Sequence, residues 1–299
     1  MGKDRIRPYL KFLFMFIGMH TVAGQGLVDG FMRGKGNVTI ALGYTFESYD
    51  TYFVGDRKTQ NENLGTIRTN SLGFFAAGGI TDYLDLIVSL PYIEARATQG
   101  FWSDQSDVQD LSLFLRGRLL NIDISGKDDF SLLGTVGFIT PLSDYIADAP
   151  VSIGSQSTQW EGRLLAHYRL INGVFVTGQV GYANRGNVTV DRGFETSVPD
   201  AWDYVMRAGG TIGKLYGDIW LQHQNSRSGT DIGPGVPFPS NEIDFTRLGF
   251  TLYHPIPKLE NFGLAVSTGF TLSGKNIGRS NRISLALVYN FQLLKTLEE

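Results

Sequence analysis

The chain has 299 residues, no cysteine, 37 glycines and 12% aromatics, with charged residues at only 18%, below the roughly 25% of an average soluble domain. Disulfide staples and cysteine metal centres are therefore excluded. The formal net charge is −3; positions 1–24 hold four basic residues and one acidic, which leaves 22 basic against 28 acidic downstream, a net −6 that argues against a nucleic-acid partner.

The chain begins MGKDRIRPYLKFLFMFIGMHTVAG. Lys3, Arg5, Arg7 and Lys11 lead into a short apolar core, Phe12–Met19, and then into the small residues of Thr21-Val22-Ala23-Gly24. These are the marks of a secretory signal peptide, assigned to residues 1–24 with cleavage expected after Ala23 or Gly24. Residues 25–299 are then one domain. No later run reaches 18 apolar residues, so no transmembrane helix is expected in it.

Period-two alternation recurs along this domain. Val38, Ile40, Leu42, Tyr44 and Phe46 interleave with Thr39, Ala41, Gly43, Thr45 and Glu47. Leu84, Leu86, Val88, Leu90 and Tyr92 do the same with Asp85, Ser89 and Pro91 between them. Pro91 removes a ladder hydrogen bond and marks a bulge. Trp160, Leu164, Ala166 and Tyr168 alternate with Glu161, Arg163, Leu165, His167 and Arg169. The last such stretch sets Ile283, Leu285, Leu287, Tyr289 and Phe291 on one face. Twelve strands are predicted, near 37–49, 67–78, 84–97, 108–120, 129–142, 158–169, 174–183, 201–212, 216–224, 243–254, 262–272 and 281–291. Their length of about ten to fourteen residues exceeds the roughly five or six of soluble strands and suits a tilted crossing of a bilayer.

Longer connections (50–66, 98–107, 143–157, 184–200, 225–242, 273–280) alternate with shorter ones (79–83, 121–128, 170–173, 213–215, 255–261). An up-and-down barrel with one tight-turn rim and one long-loop rim has this pattern. Both termini then fall on the tight-turn side, the periplasm. Most of the long connections read as ordinary solvent loops, and they could also carry recognition, though nothing in them names a ligand.

The fold class expected is all-β: a closed up-and-down antiparallel transmembrane β-barrel of about 12 strands in the outer membrane of a Gram-negative bacterium. A bilayer leaves no water for backbone groups, so the sheet must close on itself, with apolar residues toward lipid and a polar interior. Aromatics near strand ends (Tyr44, Tyr92, Trp160, Tyr182, Trp202 and Tyr204 at one rim; Tyr168, Phe262, Tyr289 and Phe291 at the other) fit two interfacial girdles. Gly-aromatic pairs such as Gly43-Tyr44, Gly137-Phe138 and Gly249-Phe250 read as inward glycines covered by the neighbouring ring.

Two resemblances bear on identity. Gly79-Ile80-Thr81-Asp82-Tyr83-Leu84-Asp85-Leu86 followed by Ser89-Leu90-Pro91-Tyr92 resembles the signature of the family named for the meta-pathway of phenol degradation. That resemblance implies an outer-membrane barrel passing small organic, often aromatic, compounds. The closing ISLALVYNF, with Phe291 as terminal ring, is similar to the C-terminal strand by which outer-membrane barrels engage the barrel-assembly machinery; eight residues follow it here.

The interior candidates are Glu47, Arg116, Arg118, Glu161, Arg163, His167, Arg207, Arg247 and Arg282. The arginines admit two readings. They give a positively biased path for small anions or carboxylated organics, or they pair with Glu47, Glu161, Asp203 and Asp218 in cross-strand ladders that fill the barrel. Eight-stranded barrels are filled and sixteen-stranded ones leave a channel, so twelve does not decide. His167 lacks the further ligands a metal site needs, and no cofactor or metal is implied. LQHQNSRSG (221–229) resembles the His-x-Ser-Asn-Gly segment of outer-membrane phospholipase A. Ser226, however, lies three residues beyond His223 and belongs on the opposite face, so no enzyme is expected.

The function expected is passive diffusion of small, organic or aromatic, solutes. A filled barrel serving as surface scaffold or adhesion protein is the alternative, and a lipid hydrolase ranks below it. The partners expected are outer-membrane lipid, small organic solutes and the assembly machinery, with no nucleic acid.

Overall fold

A computed structural model describes residues 27–124, 126 and 128–293; the expected signal peptide lies outside them. Twelve long strands form the wall: β1 (Asn37–Tyr49), β2 (Ile67–Gly79), β3 (Leu84–Ala97), β4 (Asp110–Ile124), β5 (Asp128–Pro141), β6 (Gln159–Arg169), β7 (Phe175–Arg185), β8 (Ala201–Ile212), β9 (Leu215–Ser226), β10 (Asp244–Pro255), β11 (Phe262–Lys275) and β12 (Asn281–Gln292). Each pairs antiparallel with its neighbours in the chain, and β1 pairs with β12 as well as β2, so the sheet is a closed barrel. Closure gives every strand two partners and removes the open edges that a bilayer cannot satisfy.

Side-chain direction follows the predicted alternation. Leu42, Leu86, Leu285 and Leu287 are exposed on the outer face, whereas Asp85, Arg116 and Arg207 are buried within. A soluble sandwich would show the reverse. The outer aromatics gather in two belts. Phe138–Trp160 and Tyr182–Trp202, with ring centroids 4.8 and 4.9 Å apart, lie toward the long-loop rim; Phe262–Tyr289, at 4.6 Å, lies toward the tight-turn rim.

Three expectations need correction. The glycine of each Gly-aromatic pair does face inward, but the next ring points outward, because successive side chains take opposite faces. The cover comes across the ladder: Phe114 lies over Gly137, and Trp220 lies over Gly249 and Gly269. A Cβ on Gly249 would sit 2.2 Å from Trp220 and 2.1 Å from the Thr268 carbonyl. Gly249→Val is therefore expected to destabilise the barrel by about 1–3 kcal/mol or more, seen as a lower temperature for loss of the fast-migrating unboiled form on a denaturing gel.

The turn expected at 121–128 is shorter than predicted. β4 runs to Ile124 and β5 starts at Asp128, past a register shift at Arg118/Leu120. The consecutive leucines 119 and 120, both exposed, break the alternation there. Only the stretch up to Gly117 pairs with β3, so this hairpin projects beyond the rim.

The connection 142–158 is not a solvent loop. Tyr145, Ala147, Ala149, Val151 and Ile153 are all buried, and Tyr145, Val151 and Ile153 pack with Ile67 and Ala95 of the wall. The segment folds into the mouth of the barrel. At Pro91 the ladder shifts as expected: Ser89 faces Ser112 but Tyr92 faces Val108, with Gln109 donating its N–H to the Pro91 carbonyl (2.9 Å).

Candidate functional site

The barrel interior has three levels. At the long-loop rim is a cavity of about 630 Å³. Its walls include Tyr49, Tyr52 and Trp102, the inward segment 147–155, and Phe238, Asn241 and Phe245. The loops around it are tied together. Asp148 accepts from Arg192 Nε (2.8 Å) and from the Phe238 N–H (2.9 Å), while Arg192 Nη1 donates to the Gly235 carbonyl (3.2 Å). Asn276 Oδ1 accepts from the N–H groups of Gly55 (2.8 Å) and Ile232 (3.1 Å), and Nδ2 donates to Asp231 Oδ1 and the Glu242 carbonyl, both at 2.9 Å. Tyr145 donates to Asp110 Oδ1 (2.7 Å). Burial, and then the Asp110 charge, hold its phenol well above the usual range.

Below the cavity, β1, β6, β7, β8, β10 and β12 contribute a belt of charge. Arg282 pairs with Glu47, and Arg247 reaches the same carboxylate at 4.0 Å. Arg247 also donates to Thr271 (3.3 Å) and stacks 4.3 Å from the Phe245 ring centroid. Arg163 pairs with Glu161 and with Asp203 (2.7 Å), whose other oxygen accepts from Gln222 (2.7 Å). The fourth guanidinium, Arg185, was not singled out from sequence, because it stands at a strand end. It donates to the Pro199 carbonyl (3.4 Å) and Gln224 Oε1 (3.3 Å), and its buried Nε has no acceptor. Its backbone N–H donates to Asp200. Burial would raise the Asp200 carboxyl, but hydrogen bonds from Tyr182, Arg185 and Asn184 outweigh that and hold it below the usual range.

The lowest level is filled. Residues 27–33 enter the interior from the tight-turn rim. Arg116 is fully buried. It donates through Nη1 to the Asp29 carbonyl (2.7 Å) and carboxylate (3.0 Å), and through Nη2 to the Phe31 carbonyl and Asp85 Oδ2 (both 2.5 Å). Gln179 donates to the Val28 carbonyl (3.1 Å), and the Arg33 N–H donates to Asp85 (3.0 Å). Phe31 sits edge-on to His167 and Phe175, at 4.7 and 5.0 Å. Around this segment the inner wall is apolar rather than polar: Phe75, Ile87, Phe114, Leu133, Leu165 and Val288 form one cluster with Val28.

The nine interior candidates thus separate. Glu47, Glu161, Arg163, Arg247 and Arg282 make the belt. Arg116 and His167 contact the inserted segment, and His167 Nδ1 lies 2.7 Å from Thr177 Oγ1. Arg207 is buried within electrostatic reach of Asp29 and Asp218. Arg118 stands apart at the tight-turn rim, 5.8 Å from the Tyr83 ring centroid. His223 is on the outer face with Thr246 (3.1 Å), whereas Ser226 is buried inside and donates to the Ile243 carbonyl. The two residues stand on opposite faces, and no nucleophile–base pair forms between them.

The inserted segment and Arg185 were missed for different reasons. Leu27-Val28-Asp29-Gly30-Phe31 has no period, so it reads as a linker. The inward segment did leave a trace: Tyr145, Ala147, Ala149, Val151 and Ile153 alternate, but its hydrogen bonds go through side chains such as Tyr145 and Gln109 rather than a backbone ladder that would make a strand.

No known family profile matches the chain, and no curated protein does. Among solved structures, the chain is similar to the COG4313 outer membrane channel from Pseudomonas putida F1, at 18% identity and a TM-score of 0.70, over 88% of this chain and 100% of that one. The translocator domain of the autotransporter NalP from Neisseria meningitidis aligns at 11% identity and a TM-score of 0.49, over 87% and 90% of the two chains. The KdgM porin aligns at 10% and 0.43, over 84% and 99%. The architecture described above, a closed twelve-stranded antiparallel barrel, is therefore one that an outer-membrane channel also adopts.

Proposed function

We propose that the chain is an outer-membrane channel for small organic solutes, with its long loops at the cell surface and its termini in the periplasm. One observation carries this reading. The interior opens toward the long loops as a 630 Å³ cavity above a charged belt, and it is obstructed below by a peptide segment in addition to the wall itself. The path runs past Arg185, then Glu47, Glu161, Arg163, Arg247 and Arg282, and reaches Arg116, Arg207 and His167 where residues 27–33 cross it; Arg118 marks the lower exit. The segment 79–92 supports placement in the meta-pathway phenol degradation family and, with it, aromatic cargo.

The filled-scaffold reading has its own support in the apolar cluster around Val28. Proteoliposome swelling separates the two. The purified chain, and a variant lacking residues 27–33, are challenged with small sugars and aromatic alcohols. Uptake by the intact chain supports a channel, and uptake by the variant alone means that the intact barrel is plugged. No uptake by both forms, with the barrel shown folded by its gel shift, leaves the scaffold.

A further inference from the structure

The belt has an imbalance. Among the described residues its four guanidiniums, Arg163, Arg185, Arg247 and Arg282, face three carboxylates. Arg163 engages Glu161 and Asp203, and Glu47 is shared by Arg247 and Arg282, so the surplus cation is Arg185. Among the described residues no carboxylate oxygen makes an ion pair with its guanidinium, although Glu161, Asp203 and Asp200 stand within electrostatic reach; its two hydrogen bonds are long (3.3 and 3.4 Å), and its Nε is buried with no acceptor. A half-buried guanidinium that faces a cavity with no carboxylate against it is free to donate a charge-assisted bond to an anion that enters.

Arg185 lines the rim cavity. Asn241 lines the same cavity with its side chain almost wholly buried, and its Oδ1 has no donor. Five aromatic rings complete the walls, those of Tyr49, Tyr52, Trp102, Phe238 and Phe245. The volume falls within the range of small-molecule sites, which combine apolar walls with a few fixed polar groups.

We propose that this cavity is a binding site for a hydroxylated aromatic monocarboxylate. The carboxylate accepts from the Arg185 guanidinium, in a charge-assisted bond. The ring lies among the aromatic walls. A ring hydroxyl donates to Asn241 Oδ1 once the amide turns that buried oxygen to the cavity face. A second carboxylate on the ligand is disfavoured, because the other charged group lining the cavity is Asp110. The site deepens the channel reading and rests on it: it would concentrate the solute at the outer mouth before passage.

The test is calorimetry on the full chain in detergent, with 4-hydroxybenzoate, benzoate, 4-hydroxybenzyl alcohol and acetate as probes. The expected result is saturable binding of 4-hydroxybenzoate at one site, weaker binding of benzoate, and none of the alcohol or acetate. Arg185→Gln should weaken 4-hydroxybenzoate about tenfold or more, and Arg185→Lys should keep part of the affinity. Asn241→Leu should bring 4-hydroxybenzoate down to the level of benzoate. Equal binding to wild type and Arg185→Gln, or no binding at all by a protein whose gel shift shows it folded, overturns the site. Acetate binding as well as 4-hydroxybenzoate overturns the aromatic part. The liposome experiment is independent of these. A barrel that leaks sugars but binds none of the probes loses the site and keeps the channel. A barrel that binds 4-hydroxybenzoate but admits nothing, even without residues 27–33, loses the channel and keeps the site.

Discussion

Deleting residues 27–33 is expected to raise single-channel conductance several-fold and to turn slow liposome swelling into rapid swelling. The segment occupies the lowest level of the interior, together with the apolar cluster of the wall. It is held by Arg116 on β4, Asp85 on β3 and Gln179 on β7, with Phe31 wedged beside His167 and Phe175. The deletion removes a backbone and three large side chains, Phe31, Met32 and Arg33, from a twelve-stranded barrel. That size lies between barrels filled by their own side chains and those holding an open channel. The Arg116–Asp85 pair survives the deletion, so the wall keeps a compensated charge and the barrel still folds. Conductance unchanged from that of the intact chain would show that Phe75, Phe114, Leu133 and their neighbours close the interior unaided.

Arg116→Ala should be the most damaging single substitution in the chain. Its side chain is fully buried between Asp29 and Asp85. Removing it takes the cation from between two buried carboxylates and leaves Arg33, 3.5 Å from Asp29, and the more distant charge of Arg207 to compensate them. Breaking a buried pair from one side costs about 3–5 kcal/mol, because the partner charge stays desolvated. Urea unfolding in lipid vesicles, followed by tryptophan fluorescence, should show a loss of that size. The combined variant Arg116→Met, Arg33→Met, Asp29→Leu, Asp85→Leu should recover much of it, since it replaces both buried arginines together with the carboxylates they face, and apolar replacements of a whole buried network are often neutral. A change below about 1 kcal/mol for Arg116→Ala would mean that water reaches the cluster and screens it.

The wall was legible because a barrel strand reports its two environments at every second residue. Leu42 and Leu285 against Thr45 and Ser284 is a contrast that sequence carries directly, and the strand bounds agree to within a few residues. The interior was legible only in part. Alternation shows which side Arg163 and Arg282 take, but not whether a carboxylate meets them. That depends on register between strands far apart in sequence, as with Glu47 and Arg282. Arg185 was invisible for a related reason: its significance is the partner it lacks. Residues 27–33 carry no period at all, and their place inside the barrel is set by contacts to β3, β4, β6 and β7.

The seam of the barrel and this inserted segment are adjoining pieces of chain. β1 pairs with β12 from Asn37↔Gln292 onward, and the Leu293 N–H continues the ladder to the Gly36 carbonyl (2.7 Å). Only Gly34, Lys35 and Gly36 separate that ladder from Arg33, and at about 3.5 Å per residue they span little more than 10 Å. Both glycines take a left-handed turn, with φ of 76°. The Gly34 carbonyl lies where a Cβ on Gly79 would have to be, at 1.9 Å. So short a leash means that zipping the first strand to the last and stowing the peptide ahead of it are a single act of biogenesis, and a chain that stalled before that act would stand with both its doorway and its drain ajar.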